Sequence, residues 1–593
     1  MGLFSSEPVA HGVRPCMPSG DAPVIHRFSL LAGAALMAAA PLAAQTAPTA
    51  QFDTARLSQH VQTLGSDAFE GLAPATAGET KTVAYLADQF AKAGLQPGGD
   101  LKDGKRLWTQ AVPLLRSEFT ANPQISLNLA GKATPLTQGE QISVRAPTNG
   151  DKAMAIDNAP LVFAGYGVKA PERGWDDFKG LDAKGKVLVV LVNDPDFEGG
   201  EGDFGGKAMT YYGRWTYKYE EGARQGAAGV LVIHETEPAS YGWNTVKNSN
   251  TNTMFDIVRE NPAADHPPLE GWIQKDLAQR IFADSGLTFN AMKAAAKKKD
   301  FKPVPLKASL TLKGTANAQV INSHNVVGYL PGTKYPDETV IYTAHWDHLG
   351  IGKPDDKGDT IYNGGLDNAT GTAQLIEQAR AFAGEPRTER SVVFLAVTAE
   401  EKGLLGSEYY ATHPLFPAAK TAGVLNTDGG SIYGPAKNFT ISGTAKLDLL
   451  DMLIAEGKKQ DRYYSPDPHP EHGSFFRSDH FSFAKVGVPA ISFGDGNDLV
   501  KGGTARGEAL SKEYTDKHYH QPSDEWQPTW DFTGMAQDVQ LLHNLGRDLA
   551  NSRAWPNWSQ DSEFRATRDQ TAGERAGAAP AAPAAQRADG ERG

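Results

Sequence analysis

The chain is nearly without cysteine: Cys16 is its one thiol among 593 residues. It lies ahead of an apolar leader, so the mature protein is expected to carry no disulfide and no thiolate metal ligand. A large domain exported to a bacterial periplasm or medium needs no such staples. Positive charge is also in short supply. Lys and Arg number 58 against 70 Asp and Glu, a formal net charge of −12, and no basic stripe gathers on any segment, which argues against a nucleic-acid partner. No apolar run is long enough for a confident membrane span; the nearest, residues 28–43, follows His26-Arg27 and ends in Leu42-Ala43-Ala44-Gln45. That order reads as a secretory signal over residues 1–44, cleaved near Ala44, with no membrane anchor in the mature form. The long, weakly basic stretch before the run points to Met17 as the start. Absent too is a Gly-x-Ser-x-Gly elbow between residues 325 and 550, which counts against a nucleophilic-serine hydrolase.

What remains is composed like an ordinary soluble protein, 40% hydrophobic and 22% charged, and is long enough for two or three folded units. Residues 45–150 open with helical periodicity: Val83, Leu86 and Phe90 share a face with the small Ala87 and Ala93, and Gly94 is a natural cap. Residues 112–148 alternate like short strands leading into a second module. That module, 155–295, carries the strand-like Leu161-Val162-Phe163 and Val187-Leu188-Val189-Val190-Leu191, a helix around Ala223, and Gly229-Val230-Leu231-Val232-Ile233. Helix followed by buried strand marks an α/β unit. Its aromatics Tyr211, Tyr212, Trp215, Tyr217 and Tyr219 read as packing residues, with cover for a peptide cleft as the alternative.

From 300 to 555 strand and helix alternate, as expected for an α/β fold with a mixed, mostly parallel sheet flanked by helices. Strands are expected at 325–329, 339–343, 391–397, 423–425 and 490–493, and helices at 370–382, 404–410, 446–460 and 532–549. Residues 565–593 are rich in Ala, Pro, Gly and charge and read as a disordered tail.

The polar residues that most need explaining sit where ligands bind in open α/β sheets, beyond the carboxyl ends of strands. His345 and Asp347 follow one strand, Glu400 and Glu401 another, and Asp428 a third; Asp367 precedes a helix and His520 lies in Tyr519-His520-Gln521-Pro522. Two histidines with three carboxylates suit zinc better than calcium or magnesium. Five ligands exceed one catalytic zinc and fit two ions that share a carboxylate.

The pieces Ala344-His345-Trp346-Asp347-His348, Gly365-Leu366-Asp367-Asn368-Ala369-Thr370-Gly371, Ala399-Glu400-Glu401-Lys402-Gly403-Leu404, Asn426-Thr427-Asp428, Ser478-Asp479-His480 and Tyr519-His520 resemble the M28 peptidase family of zinc aminopeptidases. The module at 155–295 resembles the protease-associated domain inserted in several exported peptidases. The resemblance implies two Zn²⁺ ions, one on His345 and Asp428 and the other on Glu401 and His520, with Asp367 bridging. It implies peptide substrates, Glu400 as general base over the attacking water, Asp347 as acceptor of the second ring N–H of His345, and a comparable relation between Asp524 and His520. One departure stands out. Where many family members place a tyrosine for the oxyanion, this chain has Phe475-Phe476-Arg477-Ser478, so the donor would be a metal, His472 or another tyrosine. His469 and His472 have no partner visible in the sequence. Rival readings are a carboxypeptidase or dipeptidase, in which Arg477 and Lys485 could take a carboxylate, a one-zinc cyclotransferase, and a catalytically silent peptide-binding protein.

Overall fold

Alternating side-chain direction along the buried central strands sorts the apolar residues of the C-terminal half into two layers. In the computed structural model, which describes residues 52–575 apart from 130 and 201, Val340, Tyr342, Val392 and Phe394 face one side. Helices Ala77–Ala93, Ala369–Gly384 and Thr533–Ala550 cover them there. Ile341, Val393, Leu395 and Val424 face the other, beneath Leu405–Thr412 and His480–Lys485. Successive side chains on a strand point to opposite faces, so strands covered on both sides become continuous apolar runs.

Strand Tyr335–His345 runs parallel between Arg390–Val397 and Thr421–Thr427, and Ala490–Gly494 extends the parallel set. The end of Val304–Leu330 and the short Asn438–Ile441 add antiparallel edges. The strands and helices expected in this half all occur, within about two residues of their expected ends except at the starts of two strands, Val304–Leu330 and Tyr335–His345. The parallel arrangement brings the carboxyl ends of three strands to one rim, which is where the polar residues collect.

A second apolar core lies under residues 125–312, built on Val187–Leu191 running parallel between Ala153–Phe163 and Gly229–His234, with Glu270–Gln274 beyond. The aromatic stretch is packing, as expected. Tyr217 and Tyr219 are buried, and the Tyr211 ring meets Phe476 and Phe481 at centroid distances of 6.2 and 5.1 Å.

Three features differ from the sequence reading. The strand expected from 325 begins at Val304 and runs to Leu330, pairing in turn with Gln124–Leu129 and Ala153–Phe163, with Thr109–Phe119, and with Arg390–Val397. One strand therefore crosses from the second core into the main sheet. The helical region before Pro97 is two helices, Thr54–Leu64 and Ala77–Ala93. The first residues of the expected tail are ordered: Arg565–Gln570 is helical, and the buried Arg568 donates to the Thr421 carbonyl at 3.0 Å. The signal segment, with Cys16, and the rest of the tail lie outside the described residues.

Candidate metal centre

His345 ends its strand, Asp428 directly follows Thr421–Thr427, and Glu400 and Glu401 follow Arg390–Val397 through Ala399, whose φ is +54°. Asp367 arrives from a turn tied into this rim by Asn368. The Asn368 side chain accepts from Gly371 and Gly429 N–H, both at 2.9 Å, and its amide donates to Thr427 O at 3.2 Å. Glycine is required at two points of this turn. A Cβ on Gly371 would stand 2.2 Å from Asn368 Oδ1, and one on Gly364, at φ +64°, would stand 2.7 Å from the His348 ring.

All five expected ligands converge. His345 Nε2 lies 3.1 Å from Asp428 Oδ1 and 3.4 Å from Asp367 Oδ1. His520 Nε2 lies 3.2 Å from Asp367 Oδ2 and 3.1 Å from Glu401 Oε2. Each oxygen of Asp367 thus serves a different histidine. Donors bound at about 2.0–2.1 Å in a tetrahedral shell stand about 3.3 Å apart, so both triads have the spacing of a zinc site. Hydrogen bonding alone does not account for them: the buried His520 Nε2 and Glu401 Oε1 have no hydrogen-bond partner of acceptable geometry. Lone pairs converging on a shared cation would satisfy these atoms.

The charges agree with that fit. Burial disfavours charge on His345, yet Glu400, Asp428 and Asp367 outweigh it and raise its pKa well above the ordinary value. Burial opposes charge on His520 as well, and Asp367 and Glu401 lift it to about 10. Burial and Asp367 push Glu401 upward, but His348 and His520 prevail and hold it at about 2. Burial, with Asp428, Glu401 and Asp479, raises Glu400 well above the carboxylate range. Glu400 Oε2 stands 4.0 Å from His345 Nε2, beyond the distances of the ligand contacts.

Two expected supporting contacts are corrected. The ring Nδ1 of His345 faces the backbone carbonyl of Asp347 at 3.1 Å, not its carboxylate at 3.8 Å. The Asp347 carboxylate instead accepts the backbone N–H of Glu400 at 2.9 Å. Asp524 does not partner His520 either; it accepts from the N–H groups of Leu366 and Asp367 at 2.9 and 3.1 Å and from the Tyr514 hydroxyl at 3.0 Å. Its contacts hold the backbone of Leu366 and Asp367. The cause is geometric: the turn at Gly365 N, which donates to Asp524 O at 2.8 Å, brings the Asp367 backbone to this carboxylate.

His348 was missed as a site residue. It is fully buried, and its Nδ1 stands 2.7 Å from Glu401 Oε1. The signal was its place directly after Asp347. Lys485 is not free for a substrate, since it pairs with Glu220 at 3.1 Å. His472 has Glu471 as its charged neighbour, whereas Tyr519 stacks on His520 with ring centroids 3.9 Å apart.

Residues 325–543 match peptidase family M28. A probable zinc metalloprotease of Pyricularia oryzae is 36% identical over 104 residues, 18% of this chain and 20% of its own length. Aminopeptidase YwaD of Bacillus subtilis is 34% identical over 108 residues, again 18% of this chain and 20% of its own. Aminopeptidase NAALADL1 of Rattus norvegicus is 36% identical over 170 residues, 25% of this chain and 21% of its own. The matched stretch therefore spans about a fifth of these relatives, 20–21%. Among solved structures, an aminopeptidase from Aneurinibacillus sp. strain AM-1 aligns at a TM-score of 0.45 and 18% identity, covering 84% of this chain and 95% of that one.

Proposed function

We propose that this chain, whose residues 325–543 match peptidase family M28, is an exported dizinc aminopeptidase releasing N-terminal residues from peptides. The observation that carries the reading is the division of the Asp367 carboxylate between the His345 and His520 triads. His345 and Asp428 would hold one ion, Glu401 and His520 the other, and Asp367 would serve both. Bound zinc lowers the pKa of water and polarises a scissile carbonyl.

The chain's own groups supply the rest. Glu400, whose backbone is fixed by Asp347, removes a proton from the attacking water and delivers it to the leaving amine. Burial, with the neighbouring carboxylates Asp428, Glu401 and Asp479, raises its pKa, which favours holding the proton it then delivers. Tyr519 is the candidate oxyanion donor in place of Phe475 and Phe476. Burial, together with Asp367, Glu401, Glu400 and Asp428, raises its phenol pKa and keeps the donor proton in place. His348 and Asp524 act as positioning residues, on Glu401 and on the Asp367 backbone.

Residues 155–295 are proposed to be a protease-associated domain, with export directed by residues 1–44. Among the described residues no helix is long and apolar enough to cross a membrane.

One observation favours a carboxylate-recognising exopeptidase as the second reading. Arg214 has a buried Nε without a partner, and burial with neighbouring Arg477 lowers its pKa to about 10. Among the described residues no carboxylate pairs with either guanidinium, which leaves a cationic place next to Ser478. Hydrolysis of aminoacyl amides and their N-acetylated counterparts, with chelator and zinc add-back, separates the readings. Cleavage of free-amine substrates alone supports an aminopeptidase, and zinc-dependent cleavage of blocked substrates with a free C-terminus supports the second reading. Turnover that persists in chelator overturns both.

A further inference from the structure

We infer that His469, Glu471 and His472 form a third metal site, separate from the pair around Asp367, for a divalent transition ion of the zinc class. The three donor atoms lie within 4.8 Å of one another. Glu471 Oε1 is 3.4 Å from His469 Nδ1 and 4.0 Å from His472 Nε2. The two imidazoles stand face to face, with centroids 4.9 Å apart and planes inclined by 12°.

Local sequence explains the arrangement. Pro470 starts a 3₁₀ turn over Pro470–His472, and Gly473 closes it at φ +65°. Residues three apart eclipse in such a turn, so His469 and His472 come to one side with Glu471 beside them. The turn is held from outside as well. Met209 N–H donates to Pro470 O at 3.1 Å, and Arg477 Nη2 donates to His472 O at 2.8 Å. Its backbone is therefore fixed before any ion arrives, which lowers the ordering needed on binding.

Two imidazoles and one carboxylate select a borderline transition ion over calcium or magnesium, which take oxygen donors. Among the described residues, Glu471 is the only carboxylate paired with either imidazole. Both histidines are open to water, with side chains 61% and 45% exposed, so solvent completes the shell and the ion exchanges more readily than one enclosed at Asp367. An ion here ties together the turn that meets Met209 on one side and leads to Ser478 and Asp479 on the other. It would stiffen the seam between the two cores without entering the reaction.

The test is a difference in metal content. The full mature chain and the His469→Ala/His472→Ala variant are dialysed against the same micromolar free zinc, and zinc per chain is counted by plasma mass spectrometry. The expected result is one more zinc per wild-type chain, whatever number the Asp367 site retains. Equal content overturns the site. Should the double variant fold poorly by circular dichroism, Glu471→Gln provides the same comparison: loss of the extra zinc supports the site, and retention of wild-type content overturns it.

Discussion

The carboxylate of Asp347 accepts the backbone N–H of Glu400 at 2.9 Å, so the residue two past the strand end at His345 positions the proposed base rather than the neighbouring histidine ring. Asp347→Ala leaves that N–H without its acceptor. The expected effect is a fall in kcat of about 10–100-fold with zinc content retained. Asp347→Asn still offers an oxygen and should stay closer to wild type. Steady-state kinetics with metal analysis checks both.

Removing the base separates chemistry from metal binding. Glu400→Gln should lower kcat by about 10²–10⁴-fold, leave KM within a few-fold, and keep the zinc content of the wild type. Loss of zinc along with turnover would make Glu400 a ligand.

Asp524 holds the backbone of Leu366 and Asp367, so its removal loosens the bridging carboxylate. Asp524→Ala should weaken zinc retention by about 10–100-fold in chelator competition. A change confined to thermal stability, with retention unaltered, would leave Asp524 a purely structural residue.

A pH-dependent contribution to stability sits between the strands Met254–Ile257 and Glu270–Gln274. Burial opposes charge on His266, yet Glu270 at 2.7 Å and Asp256 at 3.0 Å raise its pKa to about 10. The folded value lies above the unfolded one of about 6.5. The stabilisation is therefore complete below about pH 6.5 and is lost as pH rises through 10. Thermal melts of His266→Gln should fall below wild type at pH 6 and converge with it by pH 10. A constant difference over that range would contradict the assignment.

Much of this site was legible because strand ends announce themselves. Apolar runs at 339–343, 391–397 and 423–425 break into His345, Glu400, Glu401 and Asp428, and these polar residues have no local purpose at the carboxyl ends of buried strands. Asp367 was legible through the glycines around it. Partnership was less so. Whether the ring of His345 meets the carbonyl or the carboxylate of Asp347 depends on a rotamer, and the attachment of Asp524 to Asp367 joins segments more than 150 residues apart. The full length of the strand Val304–Leu330 is not legible in the sequence because its middle, around Gln319 and Val320, is exposed and lacks the burial pattern of a core strand. Its pairing with Thr109–Phe119 supplies what the local sequence lacks.

The most direct test of the shared carboxylate is an anomalous difference map at the zinc edge from crystals of the zinc-loaded protein. Two peaks about 3.5–4 Å apart, one against His345 and Asp428, the other against Glu401 and His520, with Asp367 between them, are expected. A single peak at this site, or two peaks of which Asp367 touches only one, would contradict the account.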